Sequence, residues 1–185
     1  MGLLNGLSSW AEQKSAWLIL FATSLALECT ALYFQHGMGL EPCIMCIYQR
    51  TAMWGIVLAG LLVLLFNHPL TRLVSYGLWG YSAVRGFMIA SEHIEIIESD
   101  DPFFGTCEIF PNFPEWAPLH EWLPAIFAAR GDCLEYSWQF LSMGMAEWMP
   151  IIFGAYFVCL VYTIQPGDET RRVELGVRAA RRNNT

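Results

Sequence analysis

The sequence predicts an all-α integral membrane protein, a bundle of four transmembrane helices with a long outer loop that contains a short interfacial helix. Hydrophobic residues make up 55 % of the 185 residues and charged residues only 15 %, whereas average globular chains carry roughly 25 % charged residues. Charged residues are nearly absent from four segments, and each of these segments is long enough to cross a bilayer. We therefore treat 1–185 as a single membrane domain.

Four apolar segments carry the predicted spans, because a helix needs about 20 mostly apolar residues to cross the hydrocarbon core. The first three segments each contain one charged residue, Glu28, Arg50 or Arg85, and the fourth contains none. The first segment is too long for a typical signal-peptide core and lacks an obvious cleavage site, so we predict that it is retained. The approximate spans are 16–35, 46–66, 73–90 and 148–164.

The distribution of Lys and Arg predicts the orientation of the bundle. Five arginines lie in the C-terminal tail 165–185, and the positive-inside rule places such a tail in the cytoplasm. With four spans the N-terminus and the 67–72 loop share that side, and Lys14 and Arg72 agree with it. The loops 36–45 and 91–147 are then periplasmic in a bacterial inner membrane. The net charge of −7 and the lack of a basic patch argue against binding of nucleic acid.

The long outer segment contains one candidate interfacial helix. Five prolines prevent any long helix across the middle of this segment. Within 114–124, however, Trp116, Leu119, Trp122 and Leu123 fall at helical spacing on one face, which suits a membrane surface. The alternative is a packed cluster of loops.

The predicted topology divides the six cysteines into two groups. Cys29 and Cys159 fall inside spans, where we interpret them as small, inert packing residues. The remaining cysteines all lie at the outer face, which in bacteria is the oxidising periplasm where disulfides persist. They are Cys43, Cys46, Cys107 and Cys133.

The motif Cys43-Ile-Met-Cys46 follows Pro42 and opens the second span. A helix N-terminus carries unsatisfied N–H donors and a partial positive charge, which stabilise a thiolate. The pattern therefore favours a redox-active pair. Two alternatives remain open at this stage, a zinc site completed by Cys107 and Cys133 and a pair of purely structural disulfides.

Six short runs in a fixed order resemble the DsbB family, the bacterial disulfide bond formation proteins B. The runs are P-C-x-x-C-I-Y-x-R at 42–50, S-A-x-R-G at 82–86, E-H at 92–93, P-F-x-x-T-C at 102–107, F-P-E-W at 113–116 and G-D-C at 131–133. One departure is visible, because residue 49 is Gln where the best-known members carry an acidic residue. The resemblance covers nearly the whole chain and implies a quinone-dependent thiol oxidase.

The resemblance also implies a partner and a path for the electrons. The partner is a DsbA-like periplasmic thiol oxidoreductase, and its reduced thiol attacks a disulfide between Cys107 and Cys133, with Cys107 taking the mixed disulfide. Cys133 then engages Cys43, and Cys46 is released as a thiolate that passes electrons to ubiquinone or menaquinone. One pair is thus expected on a wet, mobile loop and the other at a helix mouth. No metal is expected.

Two further residues are candidates for the quinone site. Arg50 lies one helical turn after Cys46, and a charge buried in a span usually has a function or a partner. We interpret it as a cation that holds a quinone carbonyl and stabilises the Cys46 thiolate, although snorkelling to the outer headgroups is compatible with this role. His93, just past the third span, is a candidate proton carrier. Arg85 is expected to snorkel to the outer headgroups. Glu28 is expected to be either protonated or paired with a neighbouring helix, and neither residue is assigned a chemical role.

Three rival functions remain open on the sequence alone. A paralogous oxidase would serve another thioredoxin-like partner with the same chemistry. The vitamin K epoxide reductase family shares a four-helix core and a CxxC motif, but its loop pair precedes that motif, whereas Cys107 and Cys133 follow it here. A non-catalytic membrane scaffold with structural disulfides would bind no quinone.

Overall fold

The computed structural model describes residues 14–98, 112–133 and 139–164, and these residues form four long helices, two short helices and one hairpin. The long helices are α1 (Lys14–His36), α2 (Ile44–Leu65), α3 (Pro69–Glu98) and α6 (Met145–Ile164). The shorter elements are α4 (Leu119–Trp122), α5 (Pro124–Phe127), β1 (Gln139–Phe140) and β2 (Met143–Gly144).

Local backbone chemistry sets the ends of α2. The helix begins after Pro42, with Cys43 at the N-cap in an extended conformation (φ −74°, ψ 171°). It ends where the Phe66 N–H donates to the carbonyl of Leu62. The next helix starts at Pro69, because the fixed φ and missing N–H of proline suit the first helical turn. The connection is short, so α2 and α3 become adjacent in space.

The long helices pack in the order α1, α2, α3 and α6, with each contacting the next. Their shared core consists of buried apolar side chains, among them Trp17, Ile56, Val63, Ala83 and Phe153. The first and last helices are also joined, because the Tyr156 hydroxyl donates to Thr23 Oγ1 at 3.1 Å. The four helices therefore form one bundle around a common interior.

Small residues let α3 approach its neighbours closely. A Cβ at Gly86 would collide with the ring of Phe153 on α6, and a Cβ at Gly55 on α2 would collide with the hydroxyl of Ser82. Helices in a bilayer associate through such close packing, because lipid tails give little hydrophobic drive between them. These positions fix α3 between α2 and α6.

Three of the four long helices, α1, α2 and α6, are long and apolar enough to cross a membrane. They contain the predicted spans 16–35, 46–66 and 148–164, apart from one residue at the end of the second. The sequence-based prediction of membrane-type helices is confirmed for these three.

The predicted span 73–90 lies inside α3, but α3 does not meet the same criterion of apolarity. Gly, Ser and Tyr residues and Arg85 dilute its middle, and its last turns carry three glutamates. The helix also runs on to Glu98, and α6 begins at Met145. The outer connection is therefore shorter at both ends than the predicted 91–147.

The described part of the outer connection contains two single-turn helices instead of the one predicted at 114–124. Within that range only Leu119–Trp122 and the first residue of α5, Pro124, are helical. Trp116 is 81 % exposed and Trp122 is also exposed, so the aromatic surface of the prediction is present although the helix is shorter. Pro118 and Pro124 bracket α4 and limit it to one turn.

Candidate redox site at the outer end of the bundle

The two cysteines of the CxxC motif lie at the N-terminus of α2 as free thiols. Cys43 is the N-cap residue, and its Sγ accepts a hydrogen bond from the backbone N–H of Cys46 at 3.2 Å. The two Sγ atoms are 2.7 Å apart. The unpaired N–H groups of a helix start favour thiolate over thiol. The motif is thus a dithiol placed where one sulfur is readily ionised.

His93 is brought against this pair from α3. It was expected just beyond a span, but it lies within the helix and is only 4 % exposed. Its Nε2 is 3.7 Å from Cys43 Sγ and 3.3 Å from the carbonyl oxygen of Cys133. Burial lowers the pKa of His93 below its ordinary value, and its bond to Cys133 partly opposes this effect. The imidazole therefore stands neutral between the two cysteine-bearing segments.

Gln49 contacts the other nitrogen of the same ring. This buried side chain places its Nε2 3.4 Å from His93 Nδ1. With the amide donating to Nδ1, the ring proton lies on Nε2, where it is directed at the Cys133 carbonyl. The sequence marked position 49 as a departure from the family pattern but did not indicate that it contacts His93.

Arg50 lies one turn beyond Cys46 and is 7 % exposed. Its Nη1 donates to Gln35 Oε1 at 2.6 Å and to the carbonyl of Ile126 at 2.5 Å. Its Nε is 3.9 Å from Glu28 Oε2. The guanidinium thus joins α1, α2 and α5. Glu28, for which the sequence suggested no chemistry, is the charge partner of Arg50.

Cys133 is fixed beside Cys43. The backbone N–H groups of Arg130 and Gly131 both donate to the carbonyl of Pro42, at 3.0 and 3.1 Å. A Cβ at Gly131 would collide with the Glu41 carbonyl, so this close approach requires glycine. Cys133 is disulfide-bonded and 3 % exposed. The expectation that it lies on a wet, mobile loop is wrong, because backbone hydrogen bonds hold it in the interior.

These groups all face one cavity of about 470 Å³. The functional side chains at its wall are Glu28, Cys43, Cys46, Arg50, His93 and Cys133. Apolar side chains from α1, α2 and α6, including Phe34, Met53 and Ile152, form much of the remaining wall. Cavities of this size and character accept small organic ligands and cofactors.

The hairpin before α6 forms part of the cavity wall. Phe140 and Gly144 of the hairpin line the cavity, and Trp148 Nε1 donates to the Phe140 carbonyl at 3.1 Å. The Gly144 N–H donates to the Glu147 carboxylate at 2.5 Å. This hairpin was not predicted from the sequence, because strands of two residues are too short to show the alternation of apolar and polar side chains.

The remaining cysteines have different positions from those in the site. Cys29 and Cys159 are free thiols that are exposed on the outside of the bundle. The prediction that they pack against other helices is therefore wrong. Their expected inertness stays a prediction. Cys107 lies outside the described residues.

A free CxxC dithiol beside a disulfide-bonded cysteine, at one end of a bundle of membrane-type helices, defines the chain as a membrane thiol–disulfide oxidoreductase. Comparison with known proteins agrees with this class. The family model described as "Disulfide bond formation protein DsbB" matches residues 13–163. The chain belongs to the DsbB family, and its role lies in disulfide bond formation.

Several curated relatives are similar over most of both chains, and each carries the name "Disulfide bond formation protein B". The relative from Pseudoalteromonas atlantica is 54 % identical over 139 residues, which are 75 % of this chain and 81 % of the relative. The one from Psychromonas ingrahamii is 51 % identical over 144 residues, 77 % of each chain. The one from Pectobacterium atrosepticum is 48 % identical over 143 residues, 77 % of this chain and 81 % of the relative.

Proposed function

We propose that the chain is a quinone-dependent protein-thiol oxidase that reoxidises a DsbA-like periplasmic partner and passes the electrons to ubiquinone or menaquinone. The observation that carries this proposal is the shared cavity. One mostly apolar chamber between membrane-type helices holds a free dithiol, a buried guanidinium and the neighbouring Cys133. A mostly apolar chamber between membrane-type helices suits a lipid-soluble acceptor such as a quinone.

The proposed outer pair is Cys107 with Cys133. Cys133 is disulfide-bonded, while Cys29, Cys43, Cys46 and Cys159 are free. Cys107 is the remaining cysteine of the chain.

Electron transfer to the quinone balances with the groups at hand. The Cys43 and Cys46 thiols would give up two electrons and two protons as they form a disulfide, and a bound quinone would supply the acceptor for both. Arg50 stabilises the thiolate and the developing charge on a quinone oxygen, since a guanidinium donates strong charge-assisted hydrogen bonds. His93 accepts a proton from Cys43 Sγ, 3.7 Å away, in the tautomer whose Nε2 is unprotonated and whose Nδ1–H donates to the Gln49 amide oxygen.

The energetics favour a quinone over soluble thiols as the acceptor. DsbA is a strong oxidant with a reduction potential of about −120 mV. For a two-electron couple, a difference of ~30 mV in potential corresponds to ~1.4 kcal/mol. Glutathione-type thiol pools lie well below that potential. Reoxidation of such a partner needs an acceptor above it, which a membrane quinone provides.

We further propose that the chain lies in the bacterial inner membrane with four spans. These are α1, α2, α6 and the 73–90 part of α3. The N-terminus, the 67–72 loop and the 165–185 tail lie in the cytoplasm. The positive-inside rule supports this orientation. It is consistent with the placement of Cys43, His93 and Cys133 at one end of the bundle, opposite the α2–α3 turn.

The test separates the two half-reactions of purified protein in detergent. The first is quinone reduction by the prereduced protein, followed through quinone absorbance. The second is oxidation of reduced DsbA by the preoxidised protein without quinone. We expect Arg50→Ala to slow the first about 10- to 100-fold, the range of one hydrogen bond to a charged group, and to leave the second little changed.

Arg85→Ala is the matched control, because Arg85 is also a helical arginine but is exposed and does not line the cavity. It should leave both half-reactions unchanged. Equal losses in both half-reactions for Arg50→Ala would count against a role of Arg50 at the quinone. Absence of any quinone reduction by the unaltered protein would refute the proposed function.

A further inference from the structure

Three metal-ligating atoms converge at the outer end of the bundle. Cys43 Sγ, Cys46 Sγ and His93 Nε2 all lie within 4.8 Å of one another. We propose that the reduced Cys43–Cys46 pair and His93 form a binding site for a thiophilic divalent cation of the Zn²⁺ type. This site needs neither quinone nor a protein partner, so it does not depend on the proposed function.

One pair of these atoms, Cys43 Sγ and His93 Nε2, already has the spacing of two ligands in a tetrahedral zinc site. Zn–S and Zn–N bonds of ~2.3 and ~2.0 Å place tetrahedral sulfur and nitrogen ligands about 3.5 Å apart and two sulfurs about 3.8 Å apart. Cys43 Sγ and His93 Nε2 are 3.7 Å apart. The two sulfurs are 2.7 Å apart and must separate by about 1 Å on binding. Cys46 is only half-buried and borders the cavity, which leaves room for that rotation.

The same cavity supplies the fourth coordination position. All three ligand residues line it, so a bound cation would be reachable by water or by a small ligand. Three protein ligands with one open position is the arrangement of catalytic zinc sites, in contrast to closed structural ones.

Gln49 provides the outer partner that a metal-bound histidine needs. Coordination through Nε2 requires the ring proton on Nδ1, and a neighbouring acceptor then fixes that tautomer. The Gln49 amide lies 3.4 Å from Nδ1. A half turn of the amide exchanges its donor for its acceptor, so Gln49 supports either tautomer of His93.

Binding of the cation excludes the redox reaction of the same cysteines. Two S–H bonds are replaced by two Zn–S bonds, and the two protons go to solvent without any transfer of electrons. A Cys43–Cys46 disulfide offers no thiolate, so only the reduced pair binds. Cation and electron acceptor therefore compete for one state of the protein.

The test uses the full chain in detergent with Cys29→Ala and Cys159→Ala, which removes the exposed free thiols. After reduction with a phosphine, Zn²⁺ is titrated against a chromophoric chelator. We expect one Zn²⁺ to bind per chain. His93→Asn should weaken the affinity for Zn²⁺ at least about tenfold, because loss of an outer-shell partner alone costs about 10- to 100-fold. The control variant His68→Asn should bind Zn²⁺ as tightly as the unaltered protein. Equal affinity of the two histidine variants, or equal binding by the oxidised protein, would overturn the proposal.

X-ray absorption at the zinc edge keeps the test decisive if His93→Asn does not fold. The unaltered His93 protein should show two sulfurs at ~2.3 Å and nitrogen or oxygen at ~2.0 Å. Four sulfur ligands would mean that Cys107 and Cys133 complete the site, and no sulfur would mean surface binding. Either result would refute the assignment to His93. Because no quinone or partner is present, failure here leaves the proposed oxidase activity untouched.

Discussion

The buried pair of Glu28 and Arg50 yields a prediction whose size follows from its geometry. The charged atoms are 3.9 Å apart and both side chains are nearly inaccessible to solvent. At an effective dielectric constant of ~20, two unit charges at this distance attract by about 4 kcal/mol. Glu28 Oε2 accepts no hydrogen bond from the described residues, so this attraction is its main compensation for burial.

A double-mutant cycle measures that attraction. Arg50→Ala alone removes the cation beside Glu28 together with the hydrogen bonds to Gln35 and the Ile126 carbonyl, and should lower the free energy of unfolding by about 3–5 kcal/mol. Glu28→Gln alone removes a charge that is costly to bury, so its effect should be smaller, about 1 kcal/mol. In the double variant no charge is orphaned, and we expect a loss at least about 2 kcal/mol below the sum of the singles.

The assay is reversible denaturation in mixed micelles, followed by the circular dichroism of the helices. Glu28→Gln combined with Arg85→Ala is the control cycle, because the exposed Arg85 forms no ion pair with Glu28 among the described residues. Effects in the control cycle should add within about 0.5 kcal/mol. Similar additivity for Glu28 and Arg50 would refute the argument that the two charges stabilise each other.

Three other predictions follow from the same structure. Cys29→Ala and Cys159→Ala should each retain turnover in the coupled quinone assay, because both thiols lie outside the site; a large loss would contradict this. Burial lowers the pKa of His93 from its ordinary value of 6.5, so as the pH falls the imidazole is protonated in the unfolded chain before it is protonated in the folded one. The free energy of unfolding should therefore decrease as the pH falls below 6.5. His93→Asn should flatten this pH dependence, and an unchanged slope would argue against it. Gly86→Ala should destabilise the bundle by about 1–3 kcal/mol through collision with Phe153, whereas Gly86→Ala with Phe153→Leu should recover part of the loss in the same denaturation assay.

The membrane-type helices and the CxxC motif could be predicted because their signals are local. Apolar length identified α1, α2 and α6, and the position of Cys43 after Pro42 identified a helix start. By contrast, His93 lies 50 residues from Cys43 in the chain, and no periodicity indicates which helix faces meet. The partner of Glu28 could not be named for the same reason, although pairing with a neighbouring helix was one of the two states expected for it.

The surroundings of Cys133 were predicted least well. The family resemblance implied a wet, mobile loop, but it does not reveal the two hydrogen bonds that Arg130 and Gly131 make to Pro42. Those bonds depend on a backbone approach that only Gly131 permits. The exposed positions of Cys29 and Cys159 were also beyond the sequence, because an apolar span gives no clear sign of which side meets lipid.

The attachment of residues 130–131 to Pro42 has a kinetic consequence. In the described state it holds Cys133 near Cys43, so thiol exchange between them is a first-order event with a high effective molarity. Its rate should not change on dilution of the protein. In the proposed oxidase cycle, capture of a partner thiol is second-order, and at low partner concentration it becomes the slow step.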